Sequence, residues 1–384
     1  QGAISMGLGV GASSIISRSI GEGDHHRVQR LTVDSLFLSV MLVLIMVTVG
    51  LLTIDPLFSL LGADGEHLVM VRRYMTIWYY GVPFVVIPMV GNNAIRAAGN
   101  TVIPSMIMLI AIVVNVILDR ILIFGAGPFP RMELEGAALA TVISRATTMV
   151  ASLLFLHFKF SMLTRQIPSR KELLNSWKNI LHISVPAALT QILFPFSLGM
   201  ITRLIDRYGE TAIAAFGVST RIEMFILSPL MALSAVLIPF VGQNAGAGKG
   251  DRVLKGIHFS FAFSFALSIV AFVVMMFSGR YIASWFNTDT DVIWIVYRYL
   301  VIVSLSYGFQ GAVALTASSF NALRKPIQAT KIILLRAIVL YVPLGWLGSY
   351  LWDLSGIFVG IALAAVISGL WGILWINRVL GKEI

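Results

Sequence analysis

The stretch Gly136-Ala-Ala-Leu-Ala-Thr-Val-Ile-Ser144 returns near the other end of the chain as Gly360-Ile-Ala-Leu-Ala-Ala-Val-Ile-Ser368, identical at seven of nine positions. Nearly the same offset, 224 here and 225 earlier, lays Gly21-Glu22-Gly23 on Gly246-Ala247-Gly248, Arg27-Val28 on Arg252-Val253 and Tyr74 on Tyr299. A period this long is half a protein, not a solenoid unit. With about six hydrophobic segments per period, each segment and its loop take roughly 37 residues, the size of a membrane helix and a short connection.

Composition points the same way. Of 384 residues, 58% are hydrophobic and 12% charged, with a mean hydropathy of +0.88, whereas soluble domains carry roughly 25% charged residues. The expected fold class is an all-α polytopic membrane protein. The net charge of +10 is dispersed over short loops with no basic-aromatic face, which argues against a nucleic-acid partner. The absence of cysteine removes disulfide, thiolate-metal and thiol-nucleophile chemistry.

Segments of spanning length fall near 1–17, 32–53, 74–95, 102–124, 136–156, 180–202, 212–240, 257–277, 292–320, 327–348 and 355–377. That is eleven of a repeat that calls for twelve. The sequence reading therefore expects the first helix and part of the second to be missing ahead of Gln1, where the chain opens inside an apolar run without Met. Loops 18–30, 96–101, 157–178, 243–256, 321–331 and the tail from Asn377 hold 17 Lys/Arg against six in the intervening loops. The positive-inside rule makes the first set, and the C-terminus, cytoplasmic. Both halves then enter the membrane in the same sense, related by an axis along its normal. The expected domains are an N-lobe over 1–158, a cytoplasmic linker over 159–179 and a C-lobe over 180–384.

A charge at the middle of a span costs roughly 2.5–3.5 kcal/mol, so each one needs a reason. In Asn115-Val-Ile-Leu-Asp119 the i,i+4 spacing puts amide and carboxylate on one helical face, and Thr141 is on the next helix. A buried carboxylate with Asn and Thr oxygens suits a dehydrated Na⁺ or, with burial favouring its neutral form, a proton. The competing reading is a helix-end residue paired with Arg120. By the repeat, the counterparts of Asn115 and Asp119 are Leu340 and either Pro343 or Leu344, so the carboxylate exists in one half only. Arg221 and Glu223 either neutralise one another, or Arg336, or contact a cationic substrate. Asn92-Asn93, inside an apolar helix, must find hydrogen-bond partners, between helices or at a cavity wall. Met and aromatic side chains lining a cavity would suit flat organic cations. Gly21-x-Gly23 and Gly246-x-Gly248 read as turns, for neither follows the strand that a phosphate cradle requires. No nucleophile elbow or zinc-protease helix appears, and the chain reads as a non-enzyme without a resident cofactor.

Together the residues resemble the multidrug and toxic-compound extrusion (MATE) transporters. The resembling elements are Gly9-Val-Gly-Ala12 running into Arg18-x-x-Gly21, Arg96-Ala-Ala-Gly99-Asn, Asn115-x-x-x-Asp119-x-x-Leu-Ile-Phe-Gly125, Gly136–Ser144, Pro239-Phe-Val-Gly-Gln-Asn244-x-Gly-Ala and Asn321-Ala-Leu. The resemblance covers essentially the whole chain. It implies two six-helix bundles related by pseudo-twofold symmetry, with export of small organic cations against inward Na⁺ or H⁺ by a monomer in the cell membrane. The archaeal and DinF-like branch is the nearest match. That branch implies coupling through Asn115, Asp119, Ala137 and Thr141, the oxygen-bearing three being Na⁺ ligands if sodium couples, with Asn92 and Met108 at the substrate cavity; the intramembrane charges read above add Arg221 and Glu223 to that cavity. The branch that couples through the C-lobe has a Glu eight residues after a proline, where this chain has Phe194 after Pro186. A lipid-linked-oligosaccharide flippase of the same superfamily is the alternative, on account of Arg145, Arg221, Arg298 and Arg336.

Overall fold

The computed structural model describes residues 2–62, 64–125, 130–164, 166 and 168–383, and among these it is helical throughout, without a strand. Two compact units emerge, Gln1–Ser184 and Val185–Ile384. The first contains α1 (Gly2–Gly21), α2 (His25–Leu60), α3 (Gly65–Gly81), α4 (Pro83–Ala97), α5 (Val102–Phe124) and α6 (Glu133–Leu154). Helix α7 (Arg170–Ile205) crosses the boundary. The second unit continues with α8 (Glu210–Gly246), α9 (Gly250–Ser284), α10 (Thr290–Ser304), α11 (Tyr307–Ala322), α12 (Pro326–Leu334) and α13 (Tyr341–Glu383).

Nine helical stretches among the described residues are long and apolar enough to cross a membrane, and α10 with α11, bent by 55°, makes a tenth. The longest, Pro326–Gly381, has 56 residues, about 84 Å of helix against a hydrocarbon core of about 30 Å. It is two spans. The backbone leaves helical geometry at Trp352 and Asp353, and the chain doubles back so closely that a Cβ on Gly348 would meet the Gly356 carbonyl, and one on Gly360 that of Leu344. Eleven spanning segments result among the described residues, as the sequence leads one to expect.

The repeat is written into the backbone. Helix α1 ends with Glu22 N–H on Arg18 O (2.9 Å), Gly23 N–H on Ile20 O (3.1 Å) and Asp24 N–H on Ser19 O (3.2 Å). Helix α8 ends with Ala247 on Gln243, Gly248 on Ala245 and Lys249 on Asn244, the same bonds 225 residues on. The glycine at each turn is left-handed, φ 76° at Gly23 and 68° at Gly248, which is where glycine escapes the Cβ penalty. The turn after α4 has its copy after α11, with Gly99 at φ 85° and Arg324, a non-glycine, at 59°. Likewise the break between α3 and α4 at Gly81–Pro83 recurs between α10 and α11 at Leu305–Ser306.

Each unit has its own apolar centre. In the first, Leu8, Ile16, Val90, Ile95, Leu156 and Ile180 pack together; in the second, Ile201, Tyr299, Tyr307 and Phe358 do so. The stretch read as a linker is partly helix: α7 starts at Arg170, and the first unit runs on to Ser184. Its start is tied to α2, because Trp177 Nε1 donates to the Asp34 carbonyl at 3.1 Å and Arg30 donates to the Gln166 carbonyl at 2.8 Å. Arg165 and Ile167 lie outside the described residues.

Candidate functional site

Helices α5 and α6 form an antiparallel hairpin fixed at two levels. Ser144 Oγ donates to the Ala111 carbonyl at 2.5 Å, and near the loop a Cβ on Gly136 would stand 2.5 Å from the Leu122 carbonyl. Only glycine permits that approach. Asn115, Asp119, Ala137 and Thr141 all lie in the stretch bracketed by these two contacts, with Asn115 one turn beyond Ala111 and Thr141 one turn before Ser144.

Within that bracket the polar groups are unevenly satisfied. Thr141 Oγ1 donates to the Ala137 carbonyl at 3.0 Å, leaving its lone pairs free to accept. Asn115 Nδ2 is buried without a partner among the described residues. Asp119 is half-buried, and neither it nor Arg120 has a hydrogen bond or ion pair among the described residues. It lies on an open face of α5 with Val116, Arg120, Ile123 and Phe124. Two sequence expectations are corrected here. Asp119 is less enclosed than a deeply buried carboxylate, because the outer half of α5 presents most of its surface outward, and the Asp119–Arg120 pair does not form. Neighbours on a helix point about 100° apart.

Elsewhere in the first unit, Asn92 is 6% exposed, and its Oδ1 has no partner among the described residues. Asn93 is engaged, its Nδ2 donating to the Met89 carbonyl at 2.8 Å. Met108 is 46% exposed. A carboxylate that the sequence reading passed over, Asp34, is fully buried and paired with Arg30 one turn earlier; the i,i+4 spacing was the available signal. Its second oxygen has no partner among the described residues.

The second unit closes its carboxylate. Glu223 on α8 accepts from Tyr299 Oη of α10 at 2.5 Å and from Gln310 Nε2 of α11 at 3.0 Å. The other end of that amide, Gln310 Oε1, accepts from Arg336 at 2.6 Å. Arg336 stands in a π-helical segment, Leu335–Leu340, a wider turn often found at functional positions. Four elements are thus joined by one chain of bonds that runs from Tyr299 through the Glu223 carboxylate and Gln310 to the Arg336 guanidinium. The expected pairing of Glu223 with Arg221 does not form: two residues apart, they point to opposite sides of α8. Arg221 is exposed, without a hydrogen bond or ion pair among the described residues. Arg336 reaches Glu223 only through Gln310. Tyr299 and Gln310 were not singled out from sequence, although a glutamine inside the apolar α11 announces a buried amide in need of partners.

The MatE family profile matches residues 1–121 and 186–347. Among curated proteins, the chain is 36% identical over 367 residues to the FAD transporter of Shewanella oneidensis MR-1, spanning 96% of this chain and 81% of that one. To the multidrug export protein MepA of Staphylococcus aureus MSSA476 it is 28% identical over 368 residues, 94% of this chain and 80% of that one. Among solved structures, the bent form of the Vibrio cholerae MATE transporter VcmN superposes with a TM-score of 0.93 at 28% identity, covering 99% of this chain and 86% of that one.

Proposed function

Because this chain belongs to the MatE family of multi-pass membrane transporters, we propose that it is a secondary antiporter of the cell membrane, with its C-terminus cytoplasmic, exporting a small organic compound in exchange for Na⁺ or H⁺. The observation that carries this reading is the carboxylate of Asp119, unengaged among the described residues, on the same hairpin as the Asn115 amide, likewise without a partner among them, and the Thr141 hydroxyl. An ion that is picked up and released each cycle needs a site with spare bonding capacity. A carboxylate with an amide oxygen, a hydroxyl oxygen and the Ala137 carbonyl is an all-oxygen set of the kind that hard cations take, and the carboxylate alone can carry a proton. Amide orientation is assigned from the hydrogen-bond network, and turning Asn115 over presents its oxygen instead.

Binding ion and substrate to different states of one protein is a linkage between sites. The N-lobe, taken as residues 1–158, supplies the ion side of that linkage, and the C-lobe contributes to the substrate side. The relatives carry different cargo, a flavin dinucleotide by the name of one and drugs by the name of the other. Organic cations are the cargo that the sequence reading favours; in the second unit, the bonds on Glu223 leave that carboxylate little free to meet one.

Gradient-driven transport tests the reading. In vesicles reconstituted with the full-length protein, efflux of ethidium or of a flavin should follow an imposed Na⁺ or proton gradient and be indifferent to ATP, since no phosphate-binding loop is present in the sequence. Efflux driven by ATP without a gradient contradicts it.

A further inference from the structure

Helix α8 carries two charges two residues apart, and they are treated in opposite ways. Glu223 turns inward to α10 and α11 and is fully engaged. Arg221 turns outward and meets nothing among the described residues. The helix has 37 residues, and Arg221 stands about 10 Å from its midpoint, inside a hydrocarbon layer reaching about 15 Å either side of centre. A lone guanidinium there costs roughly 2.5–3.5 kcal/mol if it faces lipid, and intramembrane arginines almost always face the interior or a water-filled path. Arg221 therefore marks the side of α8 that borders water.

That side has a definite chemistry. One turn before Arg221, Gly217 has open space where a Cβ would be, so a ligand can lie against the backbone. One turn beyond, Met224 and Phe225 are each 74% exposed, and Met231 further along is 62% exposed. Ser228, between them, is exposed with its hydroxyl turned to the Phe225 carbonyl. A flat aromatic ring packs on Met and Phe, while a guanidinium beside them takes a carboxylate or phosphate in two parallel hydrogen bonds.

We propose that this face of α8 recognises an anionic aromatic compound of the flavin-nucleotide class, with Arg221 binding its phosphate and Phe225 and Met224 its ring. The inference rests on the transporter reading above and names its cargo. Charge carries the choice of occupant: an organic cation would meet a free guanidinium here, while the one nearby carboxylate is already held by Tyr299 and Gln310. The 36% identity to an FAD transporter supports it independently.

The test separates phosphate from ring. Quenching of flavin fluorescence by the purified full-length protein would compare FAD with riboflavin, which has the ring and no phosphate. Wild type should bind FAD tighter than riboflavin by about tenfold or more, the value of one charge-assisted contact. Arg221→Gln should bring the two to parity by weakening FAD alone, Arg221→Lys should retain part of the preference, and Phe225→Ala should weaken both. An FAD preference unchanged in Arg221→Gln, or a wild type that binds ethidium and neither flavin, overturns the proposal. The transporter reading is scored separately by whether vesicles holding the wild-type protein move FAD under an imposed Na⁺ or proton gradient; if they do not, that reading fails while the binding ratio still decides the ligand.

Discussion

The two units share a backbone plan and differ in how they leave their carboxylates. In the first, Asp119 stands half-exposed and, among the described residues, without a bond, one helical turn from a buried amide that has no partner among them. In the second, Glu223 is held by a tyrosine and a glutamine, with Arg336 at the far end of the same chain of bonds. The fixed contact of each hairpin, Gly136 on Leu122 and Gly360 on Leu344, aligns the two halves locally. Counting back three residues from each leucine sets Asp119 level with Tyr341. Whether the counterpart is Tyr341, Pro343 or Leu344, no carboxylate stands there. A saturated network resists change, while an open one can gain and lose an ion. The proposed exchange at Asp119 rests on this contrast with Glu223; the first unit's other buried carboxylate, Asp34, is itself paired with Arg30.

The largest expected effect follows from breaking the closed network. Glu223→Leu leaves the Tyr299 hydroxyl and the Gln310 amide buried without their acceptor and should lower stability by about 1–3 kcal/mol for each group, whereas Glu223→Gln, which keeps an acceptor oxygen, should retain most of the stability. Thermal melts in one detergent would check this; a Glu223→Leu variant as stable as wild type would erase the contrast. Next is Gly136→Val, which drives a side chain into the Leu122 carbonyl and should cost about 1–3 kcal/mol, read as a fall in melting temperature with the α5–α6 hairpin loosened. Gly99→Ala should cost about 1 kcal/mol, because alanine must adopt the left-handed backbone there; its counterpart Arg324 already bears that conformation with a side chain. The smallest effect on stability is expected of Asp119→Asn, within about 0.5 kcal/mol, as for residues that engage no partner. A large destabilisation there would mean that Asp119 holds the first unit together.

Much of this was legible in the sequence. The Gly136 and Gly360 nonapeptides announce the hairpins because a glycine opening a small-residue helix lets backbones touch. Gly23 and Gly248 announce the turns for the same steric reason. The span over 292–320 read as one helix because its hydropathy is continuous; the 55° bend between α10 and α11 falls at Leu305–Ser306, where no proline marks it. Pro83 does mark the equivalent break in the first unit. The partners of Glu223 were hidden for a different reason. Positions 223, 299, 310 and 336 share no local spacing, and only the packing of α8, α10 and α11 with the π-helical turn brings them together. Asp119 was singled out from sequence, yet its openness was not foreseen, since how far a helix face is covered depends on neighbours that a local pattern does not name.

The measurement closest to the central claim is efflux from reconstituted vesicles under a fixed ion gradient, comparing wild type, Asp119→Asn and Glu223→Gln at equal amounts of folded protein. The account expects Asp119→Asn to lose gradient-driven efflux while still binding substrate, and Glu223→Gln to keep its dependence on the gradient even where its yield is lower. If Asp119→Asn transports normally and Glu223→Gln is uncoupled, exchange belongs to the second unit and the assignment made here is reversed.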